Sequence, residues 1–143
     1  MTSCDTNVLV YAYNVSAPEH DRAVRFLTSH LRDREFALSE LILVELYVLI
    51  RNPVIFPKAL SSTEAATVIE ELRSNPFWTI LKAATDVSER VWAASAAKDF
   101  PRRAIFDARI AYSLAAEGVT SFATRNTEDF RRFGTFEVFD PIG

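Results

Sequence analysis

Three carboxylates in this chain stand where an acid is costly. Asp5 lies directly ahead of the stretch Thr6-Asn7-Val8-Leu9-Val10-Tyr11-Ala12, Glu45 sits inside Leu41-Ile42-Leu43-Val44-Glu45-Leu46-Tyr47-Val48-Leu49-Ile50, and Asp107 interrupts Ala104-Ile105-Phe106-Asp107-Ala108-Arg109-Ile110-Ala111. An ionised carboxylate buried without a partner is strongly disfavoured, so acids placed among apolar neighbours are expected at the mouth of a cleft, held by donors or by a cation. Read together they form one site. Such a group suits Mg²⁺ or Mn²⁺, which take hard oxygen ligands and keep several waters, so two or three carboxylates facing an open cleft suffice.

Other chemistries lack their residues. Three glycines, Gly118, Gly134 and Gly143, cannot build a glycine-rich phosphate loop, and no serine lies in a G-x-S-x-G elbow. The single Cys4 has no partner for an internal disulfide, and His20 and His30, without further cysteines, do not make a zinc site; both histidines are expected at the surface. Net charge is −3, so any grip on nucleic acid must come from a local basic patch. Hydrophobic residues at 49% and charged residues at 24% describe a globular chain, and 143 residues suit one domain, 1–143, large enough for its own core. No apolar run reaches the ~18 residues of a membrane span, and Asp5 interrupts any signal-like start, so a cytoplasmic location and no membrane partner are expected.

The elements that must position the acids follow from periodicity and punctuation. Residues 2 to 13 read either as one strand or, the reading preferred, as a short strand ending at Asp5 with Asp5-Thr6-Asn7 capping a helix that has Val8, Tyr11 and Ala12 on one face. Pro18 opens a second helix running to about Leu31, with Ala23, Val24, Leu27 and Leu31 inward. Phe36-Ala37-Leu38 is a strand, and Ser39 caps a helix to about Asn52 that Pro53 stops; being apolar nearly all round, it is either buried on several sides or covers a partner. Glu40 in its first turn suits the helix dipole and needs no catalytic role. Ser61-Ser62-Thr63-Glu64 is a capping box, Phe77 to Leu81 a strand, and Asp86 with Glu89 begins another helix. Trp78 and Trp92 are expected in the core or at an interface. A helix from about Ala104 to Glu117 ends at Gly118, with Asp107 in its first turn, where, for that residue alone, an acid complementing the dipole explains it as well as a site role does. Strands at Val119 to Thr124 and Thr135 to Phe139 flank a short helix. Alternating strands and helices imply a parallel sheet covered on both faces, whose ligand crevice lies beyond the carboxyl ends of the strands, where Asp5 and Asn126 fall.

Taken in this order and spacing, Asp5-Thr6-Asn7-Val8-Leu9-Val10-Tyr11-Ala12, Ser39 with Glu45, Asp107-Ala108-Arg109-Ile110-Ala111 and Thr124-Arg125-Asn126-Thr127-Glu128-Asp129-Phe130 resemble the PIN-domain family, and within it the VapC-type toxin ribonucleases of bacterial toxin–antitoxin pairs. The resemblance spans the whole chain. It implies a three-layer α/β/α fold with a small, mainly parallel sheet, and an endoribonuclease that cuts RNA phosphodiester bonds with Mg²⁺ or Mn²⁺, leaving a 5′-phosphate and a 3′-hydroxyl. Carried over residue by residue, Asp5, Glu45 and Asp107 match the metal-holding acids. The fourth catalytic position falls on Asn126, where many relatives have an aspartate, or on Asp129, the acid before the phenylalanine. The resemblance further implies a cognate antitoxin protein and a homodimer.

Residues 102 to 132 carry Arg102, Arg103, Arg109, Arg125, Arg131 and Arg132. Arg102 and Arg103 are expected to contact RNA phosphates. Two other readings compete with the nuclease. A catalytically inactive module of the same fold, binding RNA or acting as a scaffold, would explain the neutral Asn126. A phosphohydrolase of the haloacid dehalogenase type would need an aspartate at Asn7 and is disfavoured.

Overall fold

The computed structural model describes residues 1–84 and 86–143. Among the described residues five three-residue strands and seven helices follow one another along the chain: β1 (Thr2–Cys4), α1 (Thr6–Tyr13), α2 (His20–Ser29), β2 (Ala37–Ser39), α3 (Glu40–Ile50), α4 (Ser62–Arg73), β3 (Thr79–Leu81), α5 (Ser88–Ser95), α6 (Ala104–Ala116), β4 (Ser121–Ala123), α7 (Thr127–Arg131) and β5 (Glu137–Phe139). Every strand pair is parallel, as β-helix-β connections require: β1 with β4, β4 with β5, and β2 with β3. An isolated parallel bridge from Thr2 to Phe36 joins the three-stranded and two-stranded sheets, giving the order β3-β2-β1-β4-β5.

That order places the functional rim. The chain winds outward from β1 in one direction through β2 and β3 and in the other through β4 and β5, so the crevice opens where β1 and β4 diverge at their carboxyl ends. Asp5 and Thr124 are the first residues past those two strands, and Asp5 N–H still donates to the Ala123 carbonyl at 2.8 Å.

The core fills the sheet's faces. Phe122, fully buried in β4, packs its ring against Phe130 and Phe136 at centroid distances of 4.8 and 5.1 Å, and Phe36 lies 4.9 Å from Trp78. Burying a phenylalanine completely contributes about 2–3 kcal/mol. A smaller cluster of Val87, Val91 and Ala108 joins α5 to α6. Cys4 is sealed in the main core, and burial, with Asp5 next to it, holds its thiol far above the ordinary range, which removes it as a nucleophile.

The helix caps agree with the sequence in most places. Ser39 Oγ accepts from Leu41 N–H, and Ser61 and Glu64 form the expected reciprocal box. α6 closes on Gly118 at φ +96°, a left-handed backbone that suits glycine, with Val119 N–H donating to the Leu114 carbonyl at 3.0 Å.

Several expectations are corrected. α2 begins at His20 rather than Pro18 and ends at Ser29, so its inward face is Ala23 and Leu27; Val24, at the edge of that face, and Leu31, past the helix end, are exposed. α5 starts at Ser88 after Val87, without a side-chain cap. His30 is half-buried rather than on the surface: its ring stacks on Phe36 at 4.8 Å and its Nδ1 lies 2.8 Å from Asp33. His20, also half-buried, meets the Tyr11 carbonyl through Nδ1 at 2.9 Å. Trp78 is core, with its indole N–H on the His30 carbonyl, whereas Trp92 is 66% exposed. α3 buries Ile42, Leu43, Leu46 and Ile50 but leaves Val44 65% and Val48 59% exposed.

Candidate active site

Asp5 is held more tightly than any other acid of the group. As the residue between β1 and α1 it caps the helix, Oδ1 accepting from Thr6 N–H at 2.8 Å. Its other oxygen, Oδ2, accepts from the Thr124 hydroxyl at 2.7 Å and from Asn7 Nδ2 at 3.3 Å. Asp5 is only 7% exposed. Burial pushes its carboxyl up to about 6; the bonds from Thr124 and Thr6 oppose the rise, and the charges of Glu45 and Asp107 add to it.

Glu45 projects from the exposed side of α3, and its Oε2 accepts from the Thr6 hydroxyl at 2.9 Å. Asp107, in the first turn of α6, is half-buried. Its carboxyl is also pushed up to about 6, first by burial and then by Asp129 and Glu45, against the opposing pull of Arg132. Three helices starting or passing at the strand ends therefore bring Asp5, Glu45 and Asp107 into one electrostatic group, although more than a hundred positions separate the first from the last.

The two candidates for the fourth position differ in setting. Asn126 is exposed just before α7; its backbone N–H bonds the Thr124 hydroxyl at 3.0 Å, so it stands on the Asp5 side. Asp129, exposed in the first turn of α7, faces Asp107 closely enough to raise its pKa and lies 3.9 Å from Arg132. A groove of about 480 Å³ runs past Glu45 and Asp107, with Arg103 and Arg109 on its rim and Leu41, Val44, Val48, Phe106 and Ile110 as its walls. Of the two arginines expected to meet RNA, Arg103 lines this groove; Arg102 is exposed but does not line it. Arg125 is engaged elsewhere, 3.1 Å from Asp140.

Sequence reasoning missed the residues that hold the acids. Thr6 and Thr124 are buried polar side chains whose hydroxyls each donate to a carboxylate, and Asn7 links Asp5, Thr124 and, through Oδ1, the N–H of Arg125. Thr6, Asn7 and Thr124 stand in the stretches that carry the family resemblance but read there as helix-start and strand residues with no role toward the acids; the signal for Thr124 is its place at the carboxyl end of a strand, at the rim where a ligand crevice is expected.

The donor set suits a hard divalent cation: oxygens alone, with two carboxyls held up by burial and mutual repulsion that a cation would relieve. Among the described residues, no three His, Cys, Asp or Glu side chains are drawn close enough to enclose an ion as they stand.

Comparison with known proteins agrees with this architecture. The PIN domain family model matches residues 3–135. Over 142 residues the chain is 44% identical to Ribonuclease VapC24 of Mycobacterium tuberculosis, the match covering 99% of this chain and 97% of the relative. Among solved structures, VapC20 of M. tuberculosis, titled a Sarcin-Ricin loop cleaving toxin, superposes with a TM-score of 0.66 at 17% identity, covering 85% of this chain and 87% of that one. VapBC2 of Rickettsia felis, bound to a promoter DNA fragment, gives a TM-score of 0.68 at 17% identity over 97% of each chain. These distant structures share the three-layer fold; the family match and the full-length sequence similarity place the chain in the PIN-domain family, among its VapC ribonucleases.

Proposed function

We propose that this protein is a metal-dependent endoribonuclease, the toxin of a type II toxin–antitoxin pair, acting in the cytoplasm as one nuclease domain spanning residues 1–143. The observation that carries the metal site is geometric: Thr6 bonds both Asp5 and Glu45 at the strand-end rim, and Glu45 shares one groove with Asp107, so carboxylates from three elements converge, and the upward push on Asp5 and Asp107 is what such crowding produces. Asp5, Asp107 and Glu45 would hold Mg²⁺ or Mn²⁺, completed by Asp129 or by the carbonyl of Asn126. When bound, such a cation stabilises charge building on the scissile phosphate and lowers the pKa of a water to give the nucleophile.

The remaining work belongs to the chain itself. Thr6 N–H and Thr124 fix both oxygens of Asp5, so that carboxylate presents a constant orientation. Arg103 and Arg109 on the groove supply bidentate phosphate donors beside the acids, offsetting an overall charge of −3. The products are a 5′-phosphate and a 3′-hydroxyl.

Two partners belong to this reading. A cognate antitoxin protein neutralises the toxin. A homodimer shields part of the groove's own apolar wall, the exposed Val44 and Val48 on α3 and Phe106 on α6.

Purified protein incubated with a pool of cellular RNAs tests the reading, with Mg²⁺ or Mn²⁺, with chelator, and beside an Asp5→Ala variant. Defined fragments lost both with chelator and in Asp5→Ala are expected. Cleavage that survives Asp5→Ala refutes the site. No cleavage together with no Mn²⁺ binding by calorimetry favours the inactive RNA-binding or scaffolding module, a reading that Asn126 supports.

A further inference from the structure

Thr6 touches two acids of the group at once. Its backbone N–H donates to Asp5 Oδ1 at 2.8 Å, and its hydroxyl donates to Glu45 Oε2 at 2.9 Å, across 39 positions of chain. The helix start does not need this hydroxyl, because Asp5 already caps α1. Thr6 is 2% exposed, and the bond to Glu45 is the one its hydroxyl makes among the described residues. Glu45, by contrast, is a long exposed side chain with no ion pair among the described residues, free to sample many rotamers without that tether.

We propose that Thr6 is a positioning residue: its buried hydroxyl fixes the Glu45 carboxylate toward Asp5, coupling α1 to α3 so that both acids face one ligand. This rests on the nuclease reading above. A donor that orients a ligating carboxylate leaves the other lone pairs of that carboxylate available, so Thr6 shapes the site without occupying it.

The test is a double-mutant cycle. Thr6→Val keeps the shape and the N–H to Asp5 while removing the hydroxyl; it is combined with Glu45→Ala, and Thr6→Ser restores the donor. Two quantities are read: the Mn²⁺ dissociation constant of metal-free protein by calorimetry, and kcat and KM for RNA cleavage. Thr6→Val is expected to weaken Mn²⁺ binding or lower kcat by about 10–100-fold, with KM little changed. Thr6→Ser is expected to recover most of that loss. In the Glu45→Ala background, Thr6→Val is expected to have no further effect on Mn²⁺ affinity.

An equal loss in both backgrounds overturns the proposal, since Thr6 would then act without Glu45. An unchanged Mn²⁺ affinity and kcat in Thr6→Val overturns it as well. If Thr6→Val fails to fold, Thr6→Ala carries the same cycle. A wild-type protein that neither binds Mn²⁺ nor cleaves RNA refutes the nuclease reading and this proposal with it, whereas a wild type that does both while the cycle is additive refutes the Thr6 assignment alone.

Discussion

Replacing the most deeply buried acid of the site should make the metal-free protein more stable while removing its activity. Asp5 titrates at about 6 in the fold against an ordinary 3.8. Because the folded value is the higher one, the folded state holds the proton more tightly. The stability from this linkage is fully present below the unfolded value and is lost as pH rises through the folded value. At roughly 1.4 kcal/mol per pH unit, a difference of about two units costs the metal-free fold about 3 kcal/mol at neutral pH.

Asp5→Asn removes the charge and keeps an oxygen for Thr6 N–H, but its amide then faces the Thr124 hydroxyl, whose proton loses its acceptor. That mismatch costs about 1–2 kcal/mol. The net gain is about 1–2 kcal/mol, or roughly 3–6 °C in melting temperature for a chain of this size. Thermal and urea denaturation in chelator, wild type beside variant, at pH 7.5 and at pH 4.5, measures it. The gain should appear at pH 7.5 and shrink toward zero at pH 4.5, where Asp5 is protonated in the folded wild type. Saturating Mn²⁺ should reverse the order at pH 7.5, because the cation stabilises only the protein that binds it well. A variant no more stable than wild type at pH 7.5 in chelator would refute the reasoning, as would a gain of the same size at pH 4.5.

Further predictions concern the groove and its apolar face. Arg103→Ala should weaken RNA binding and flatten its salt dependence by about 0.7 in slope, one phosphate contact on a single strand, whereas Arg102→Ala, one residue outside the groove lining, should change the slope less; equal slopes for Arg103→Ala and wild type would remove Arg103 from the interface. Val48→Asp together with Phe106→Ser should convert a dimer to a monomer by light scattering, since both side chains are more than half exposed in the wall of the same groove; a dimer of undiminished stability would place the interface elsewhere.

The acids were legible because each broke a local rule. A carboxylate inside an apolar run asks for an explanation that does not depend on knowing the fold, and Asp5, Glu45 and Asp107 each posed that question. The strand-to-helix switch at Asp5, the Ser39 cap, the Ser61–Glu64 box and the Gly118 stop were equally readable, since capping and turn chemistry involve residues a few positions apart. The parallel sheet followed from the alternation of strands and helices.

What the chain's order could not state is which residues meet across it. Thr6 on Glu45 and Thr124 on Asp5 join positions 39 and 119 apart, and a threonine gives no sign in sequence of which distant carboxylate its proton will reach. The same holds for the inward face of α2, expected as Ala23, Val24, Leu27 and Leu31, of which packing against α1 buries only Ala23 and Leu27. It holds for Trp92, expected in the core or at an interface, which its helix turns outward and so takes out of the core. Local chemistry fixed the starts of α1, α3 and α4, the end of α6, and which residues are costly. The tertiary structure decided that Glu45 and Asp107 line one groove and that Thr6 joins Glu45 to Asp5, because only packing in three dimensions determines which helices meet at the carboxyl ends of the sheet.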